Sequence, residues 1–129
     1  MRDWKKQTAQ DLKRYRLLRT SLETLPQRVE LLRDAARDNP QAAREVENLA
    51  RSMELAQRQC EAVDNGMACL SDDEQWVLQR FFVDCEPGCV DILCEELGCE
   101  QAQVYRLRER ALGKLATAMY GMWDECLLP

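Results

Sequence analysis

The sequence predicts an all-α protein, and three features carry that prediction. Leu, Ala, Glu, Arg and Gln dominate the 129 residues, with only 5 Gly, 4 Pro and 6% aromatics among them; this balance favours helices over strands. Two stretches in the first half repeat apolar residues at alternating steps of three and four, which is the helical period. In the second half, shorter apolar periods are divided by turn residues at Asp84 to Gly88 and at Gly98. The expected architecture is an N-terminal antiparallel helical hairpin over residues 1–66, followed by a bundle of shorter helices over residues 67–129.

The first stripe runs Tyr15, Leu18, Leu22, Leu25, Val29, Leu32 and Ala36, a heptad pattern. Pro26 falls inside it, and a proline within a helix costs about 3 kcal/mol. The phase continues unchanged past Pro26, so one kinked helix is expected. Asp38-Asn39-Pro40 breaks the pattern, with Asn39 placed to cap the next helix and Pro40 suited to its first turn. The second stripe is Ala42, Val46, Leu49, Met53, Ala56, Cys60 and Val63. Two such stripes joined by a short turn fit helices that bury their seams against each other. Two readings of the seam stand: an intramolecular core, and a surface that also pairs two copies into a homodimer.

Asp64-Asn65-Gly66 is expected to end the second helix, because Asn and Gly accept the left-handed conformation that closes helices. Ser71-Asp72-Asp73-Glu74 then has the form of a capping box, opening a helix from Asp72 to about Val83. Pro87-Gly88 marks the following turn. A short helix from Val90 to Leu97 precedes Gly98, and a long one is expected from Gln101 to Trp123.

Composition narrows the function classes. The chain has no histidine, so the commonest general base and zinc ligand are missing. No Gly-rich phosphate loop and no nucleophile with a partner stands out, so no enzyme activity and no cofactor are expected. Cys85, Cys89, Cys94 and Cys99 are spaced by four, five and five, a poor match to the tight pairs of structural zinc sites. Core packing or incidental placement is the better account of them. No run approaches the roughly 20 apolar residues that span a bilayer, and no apolar signal segment follows the N-terminus. The expectation is a soluble, cytoplasmic protein without membrane partners and with reduced thiols.

The net charge of −5 disfavours nucleic acid at first sight, but the charge is unevenly placed. Residues 1–60 carry 13 basic and 9 acidic side chains, residues 61–99 carry 1 and 10, and residues 100–129 carry 4 of each. The basic residues of the last part, Arg106, Arg108, Arg110 and Lys114, cluster on the final helix.

Two short helices around a glycine turn are the signature of a helix-turn-helix. Leu93, Leu97, Val104 and Leu107 fall where such helices meet, with the small Cys94 at the crossing. The segment Leu97-Gly98-Cys99-Glu100-Gln101-Ala102-Gln103-Val104-Tyr105-Arg106, with Arg110-Ala111-Leu112 and Leu115, resembles region 4 of bacterial sigma factors. Leu70-Ser71 with Glu74 and Val77-Leu78 resembles the first helix of that family. The similarity is closer still to the ArpU-type phage transcriptional regulators, in particular at Val104-Tyr105-Arg106 and Ala111-Leu112. It covers about 50 residues, roughly Ser71 to Met119, and the N-terminal hairpin only in outline. The chain departs from the sigma pattern at Glu100, Gln101 and Gln103, where a Ser or Thr cap and basic residues are usual, and at Leu107, one position before the usual leucine.

The resemblance implies a transcriptional regulator of phage or prophage type that reads duplex DNA with the helix starting near Gln101. Gln101, Gln103, Tyr105 and Arg106 would then face base edges, where Gln suits adenine and Arg suits guanine. Arg110 and Lys114 would hold phosphates. The same residues also fit the solvated face of an ordinary amphipathic helix, and Tyr105 fits packing on the hairpin. Two alternatives stand beside DNA reading. One is an interaction module that contacts RNA polymerase or another regulator, for which the acidic stretch speaks. The other is a small terminase subunit, which also joins a helix-turn-helix to an oligomerising helical region. The chain has no room for a complete sigma factor.

Overall fold

The computed structural model describes residues 3–121. Those residues form five α-helices and one π-helical turn, with no strand among them. No helix among the described residues is long and apolar enough to cross a membrane.

Helix α1 spans Trp4–Ala36 and passes unbroken through Pro26. Asp3 starts it, its carboxylate accepting the Lys6 N–H at 3.1 Å, the usual way to satisfy a first-turn donor. Helix α2 spans Pro40–Met67. Asn39 Oδ1 accepts the Gln41 N–H at 3.0 Å, so the Asn-Pro break acts as cap and first residue. The expected end of α2 needs correction. Asp64, Asn65 and Gly66 all lie inside the helix, which runs to Met67. Gly66 serves close approach instead of a left-handed turn, since a Cβ there would sit 2.6 Å from Leu115 Cδ1.

Helix α3, Asp72–Leu78, opens with the capping box: Ser71 Oγ accepts the Glu74 N–H at 3.3 Å and Glu74 Oε1 accepts the Ser71 N–H at 3.0 Å. Its continuation to Val83 is a π-helical turn over Gln79–Val83, closed by the Asp84 N–H on the Gln79 carbonyl at 2.9 Å. Helix α4 is Cys89–Leu97, one residue longer at its start than the periodicity indicates. Gly88 before it and Gly98 after it both take the left-handed conformation. Helix α5 is Gln101–Tyr120 and ends on left-handed Gly121. It is therefore shorter than the span predicted to Trp123, and Met122 and Trp123 lie outside the described residues.

The chain groups into two compact units, Arg16–Glu61 and the combination of Met1–Tyr15 with Ala62–Pro129. Within Arg16–Glu61 the stripe residues from Leu18 to Ala36 and from Ala42 to Cys60 are all buried or half-buried. Leu17, Leu31 and Leu55, which lie off the stripes, are 75%, 81% and 60% exposed. Burial thus follows the three-and-four spacing instead of hydrophobicity alone. Arg28 and Glu45 pair at 3.2 Å, well exposed, so the pair contributes little stability.

The other unit holds two clusters. Leu12, Val63, Leu70, Leu78, Ala111, Leu112 and Leu115 form the larger. Val77, Leu93 and Val104 form the smaller, flanked by Phe81, Cys94, Leu97, Cys99 and Leu107. Adjacent residues Val77 and Leu78 of α3 point into different clusters, so α3 joins the two. Helix α5 packs on both α3 and α4. The first turns of α1 belong to the same body. Asp11, 4% exposed, accepts hydrogen bonds from Gln7 Nε2 at 3.1 Å and from the Tyr120 hydroxyl. Trp4 stacks against Tyr120 with ring centroids 4.6 Å apart.

Candidate nucleic-acid interface

The surface of interest is built on α5, and its inward side sets what its outward side can display. Val104 is fully buried between Val77 and Leu93, and Leu107 packs beside it. With 3.6 residues per turn, burial at 104 and 107 turns Gln103, Arg106 and Arg110 outward together, whereas Gln101, three positions before Val104, lies on the Val104 side at the start of the helix; all four are exposed. The connection to α4 is short. Gly98 takes φ +65°, a conformation costing other residues about 1–2 kcal/mol, while the Cys99 N–H returns to the Cys94 carbonyl at 3.1 Å. Glu100 stands at the cap position with extended backbone, yet its side chain makes no capping bond.

The six residues singled out in the sequence have distinct settings. Gln101 Nε2 donates to Asp91 Oδ1 at 3.3 Å, tying the start of α5 to the first turn of α4. Gln103 is exposed. Tyr105 is 42% exposed, with its ring 6.1 Å from that of Phe81; its neighbour is thus the π-helical turn. Arg106 and Arg110 are exposed and form no ion pair with the described residues. Lys114 has an internal partner: its ammonium lies 2.9 Å from Glu74 Oε2.

The Lys114–Glu74 pair belongs to the fold. The Glu74 side chain is 5% exposed, and its Oε2 has no aligned hydrogen bond, so the ammonium compensates it by charge. Burial pushes the Glu74 carboxyl up; the Ser71 backbone N–H, the Lys114 ammonium and the Ser71 hydroxyl outweigh this and hold it below its ordinary value. Lys114 therefore secures the capping box from α5.

Two further residues, Arg108 and Lys5, shape the surface. The Arg108 guanidinium lies 5.0 Å from the Phe81 ring centroid and 4.9 Å from that of Tyr105, a cation–π arrangement. It also holds Glu109 at 3.0 Å, offsetting the one carboxylate in this stretch of α5. Lys5, from the first turn of α1, lines a groove together with Tyr105, Arg106, Glu109 and Arg110. Nothing local marks Lys5 in the sequence, since a separation of 100 residues from Tyr105 leaves no periodic trace.

Among the described residues no group of three His, Cys, Asp or Glu side chains is placed to hold a metal ion. Burial and the neighbouring Cys85 thiol push the Cys89 thiol up, keeping it neutral and a weak ligand or nucleophile. Cys94 and Cys99 pack beside the smaller cluster.

In comparisons with known proteins, no family model, no curated protein and no solved structure matches the chain.

Proposed function

We propose that the protein is a transcriptional regulator that reads duplex DNA through a helix-turn-helix formed by α4 and α5, with α5 entering the major groove. In this reading α1 and α2 form an antiparallel hairpin that serves dimerisation or contact with RNA polymerase. The observation that carries it is the setting of α5. A left-handed glycine joins it to a short helix, its Val104 side is buried on α3 and α4, its Gln103, Arg106 and Arg110 side faces solvent, and Gln101 is exposed at its start. The resemblance of Ser71 to Met119 to sigma region 4 and to the ArpU-type phage regulators supports the same reading. Gln103 is the residue free to read a base, because Gln101 is shared with Asp91. The arginines supply the phosphate attraction that such a neutral reading face lacks.

Selection from a random duplex library with the purified protein tests this. A recurring sequence is expected, with affinity falling steeply as salt rises. Replacing Arg106 and Arg110 together by alanine is expected to abolish the enrichment. No enrichment, together with no mobility shift at low salt, ends the reading.

One observation favours a second reading. Asp91, Glu95, Glu96 and Glu100 are exposed on and just beyond α4, and carboxylates beside the start of α5 repel phosphate. An interaction module with a basic partner such as a polymerase subunit fits that surface. Recovery of polymerase subunits after nuclease treatment, from a protein with no DNA affinity, would establish it in place of DNA reading.

A further inference from the structure

The structure assigns Lys5 a place with Arg106 and Arg110: we propose that the groove these three residues share over Tyr105 seats a phosphodiester of the DNA backbone, so that the first turn of α1 belongs to the interface. This inference rests on the DNA reading above and adds to it a residue, Lys5, and one seat that it shares with the arginines.

Three observations carry it. Lys5, Tyr105, Arg106, Glu109 and Arg110 line one groove, which brings cations from two distant parts of the chain to one place. Arg106 and Arg110 stand one helical turn apart, the spacing that puts side chains on a common face, and neither has an ion pair with the described residues. The groove's carboxylate, Glu109, is engaged by Arg108, which offsets its charge beside Arg106 and Arg110. An anion held by several cations at once is the environment that favours a phosphodiester over a base edge. Arg106 is thereby a phosphate residue, and sequence reading falls to Gln103.

The position of Lys5 is set by packing instead of chance. The first turns of α1 are anchored by the Trp4 ring on Tyr120, by Thr8, which is fully buried, and by the Asp11 bond to the Tyr120 hydroxyl. A cation on a rigid helix loses little further freedom when it meets a phosphate.

The experiment measures how affinity for a random-sequence duplex depends on salt in the wild type and in Lys5→Gln, Lys5→Arg and Gln103→Ala. Lys5→Gln is expected to lower the slope of log K against log salt by about 0.9, one phosphate contact, and to weaken binding several-fold at low salt on every sequence alike. Lys5→Arg is expected to restore both, and Gln103→Ala to leave the slope unchanged. Equal melting temperatures for wild type and Lys5→Gln separate this effect from unfolding. If Lys5→Gln binds with the wild-type slope, the groove is not a phosphate seat and DNA reading stands without it. If the wild type itself shows no affinity for duplex DNA at low salt, the inference and the reading fall together.

Discussion

The two halves of α5 belong to one unbroken helix and have opposite surroundings. From Gln101 to Arg110 one residue, Val104, is buried, and most of the rest are exposed. From Ala111 to Tyr120, Ala111, Leu112, Gly113, Leu115 and Ala116 are buried, and one residue, Ala118, is exposed. The second half is enclosed by α1, α2 and α3, through Leu12, Val63, Gly66 and Leu78. A helix anchored over its last turns presents its first turns rigidly, because helical hydrogen bonds transmit the anchor along the axis. The buried anchor and the exposed surface are thus separable by position along a single element. Substitutions in the two halves should divide accordingly.

Leu115→Ala is expected to have the largest effect. Leu115 is fully buried, and truncating such a leucine costs about 3 kcal/mol. A denaturant melt of the variant should show the unfolding free energy lowered by that amount, read from an earlier midpoint at unchanged slope. Gly66→Ala comes next, although alanine is the better helix former by about 1 kcal/mol. Its methyl would lie 2.6 Å from Leu115 Cδ1 and 3.3 Å from Met119 Cγ, so overpacking should outweigh propensity and leave a net loss of about 1–2 kcal/mol. The double variant Gly66→Ala/Leu115→Ala should be more stable than the two separate losses predict, because the new methyl enters the space the leucine leaves. Additive losses would show that the two residues do not share that space.

These two residues also mark what can be read from the sequence. The spacing of Leu18 to Ala36 and of Ala42 to Cys60 foretold which residues are covered, because helical periodicity is a local property. The Asn39-Pro40 start, the Ser71 and Glu74 capping box and left-handed Gly98 were legible for the same reason: each motif is complete within a few residues. Gly66 was misread because a glycine next to Asn satisfies the local rule for a helix end, whereas its actual role depends on Leu115, 49 positions away. In the sequence Lys114 is one more cation on a basic helix, and its pairing with Glu74, 40 positions away, leaves no local trace. The π-helical turn at Gln79–Val83 has no compositional signature, and the groove at Lys5 joins the two ends of the chain. Local chemistry reveals elements, and long-range pairing decides what their surfaces do.

Lys114→Met sharpens the comparison, because Lys114 lies in the anchored half. Removing the ammonium leaves the buried Glu74 carboxylate with its Ser71 partner and no compensating charge. With Lys114 partly exposed, the cost at neutral pH should be about 1 kcal/mol. The sign of the pH dependence follows from the lowered folded-state value of Glu74. A carboxyl depressed by folding stabilises the protein above its unfolded value, and that contribution is lost as pH falls through the folded one. The wild type should therefore lose stability below its ordinary carboxylate value of 4.5, and Lys114→Met should lose less. Urea melts across that range are expected to show the deficit of the variant at neutral pH closing in acid. On the proposed DNA reading, affinity for duplex DNA should change little in Lys114→Met beside its loss in Arg106→Ala. A larger loss in Lys114→Met would return this lysine to the interface.

The smallest expected effect lies in the presenting half. Glu100 occupies the cap position of α5 with a suitable extended backbone, and its side chain makes no capping bond. Serine there would supply the missing acceptor for a first-turn N–H and should stabilise the protein by about 0.5–1 kcal/mol. A carboxylate near the positive end of a helix is itself favourable by a few tenths of a kcal/mol, so the net gain should sit at the lower end. Removing that charge also removes a repulsion from the edge where DNA would approach. Glu100→Ser should thus raise the melting temperature slightly and tighten binding to duplex DNA, more strongly at low salt than at high. A protein whose α5 met only a basic partner would instead lose affinity for that partner on the same substitution. Measuring both variant properties side by side therefore discriminates between the two partners, and does so at a residue whose contribution to the core is nil.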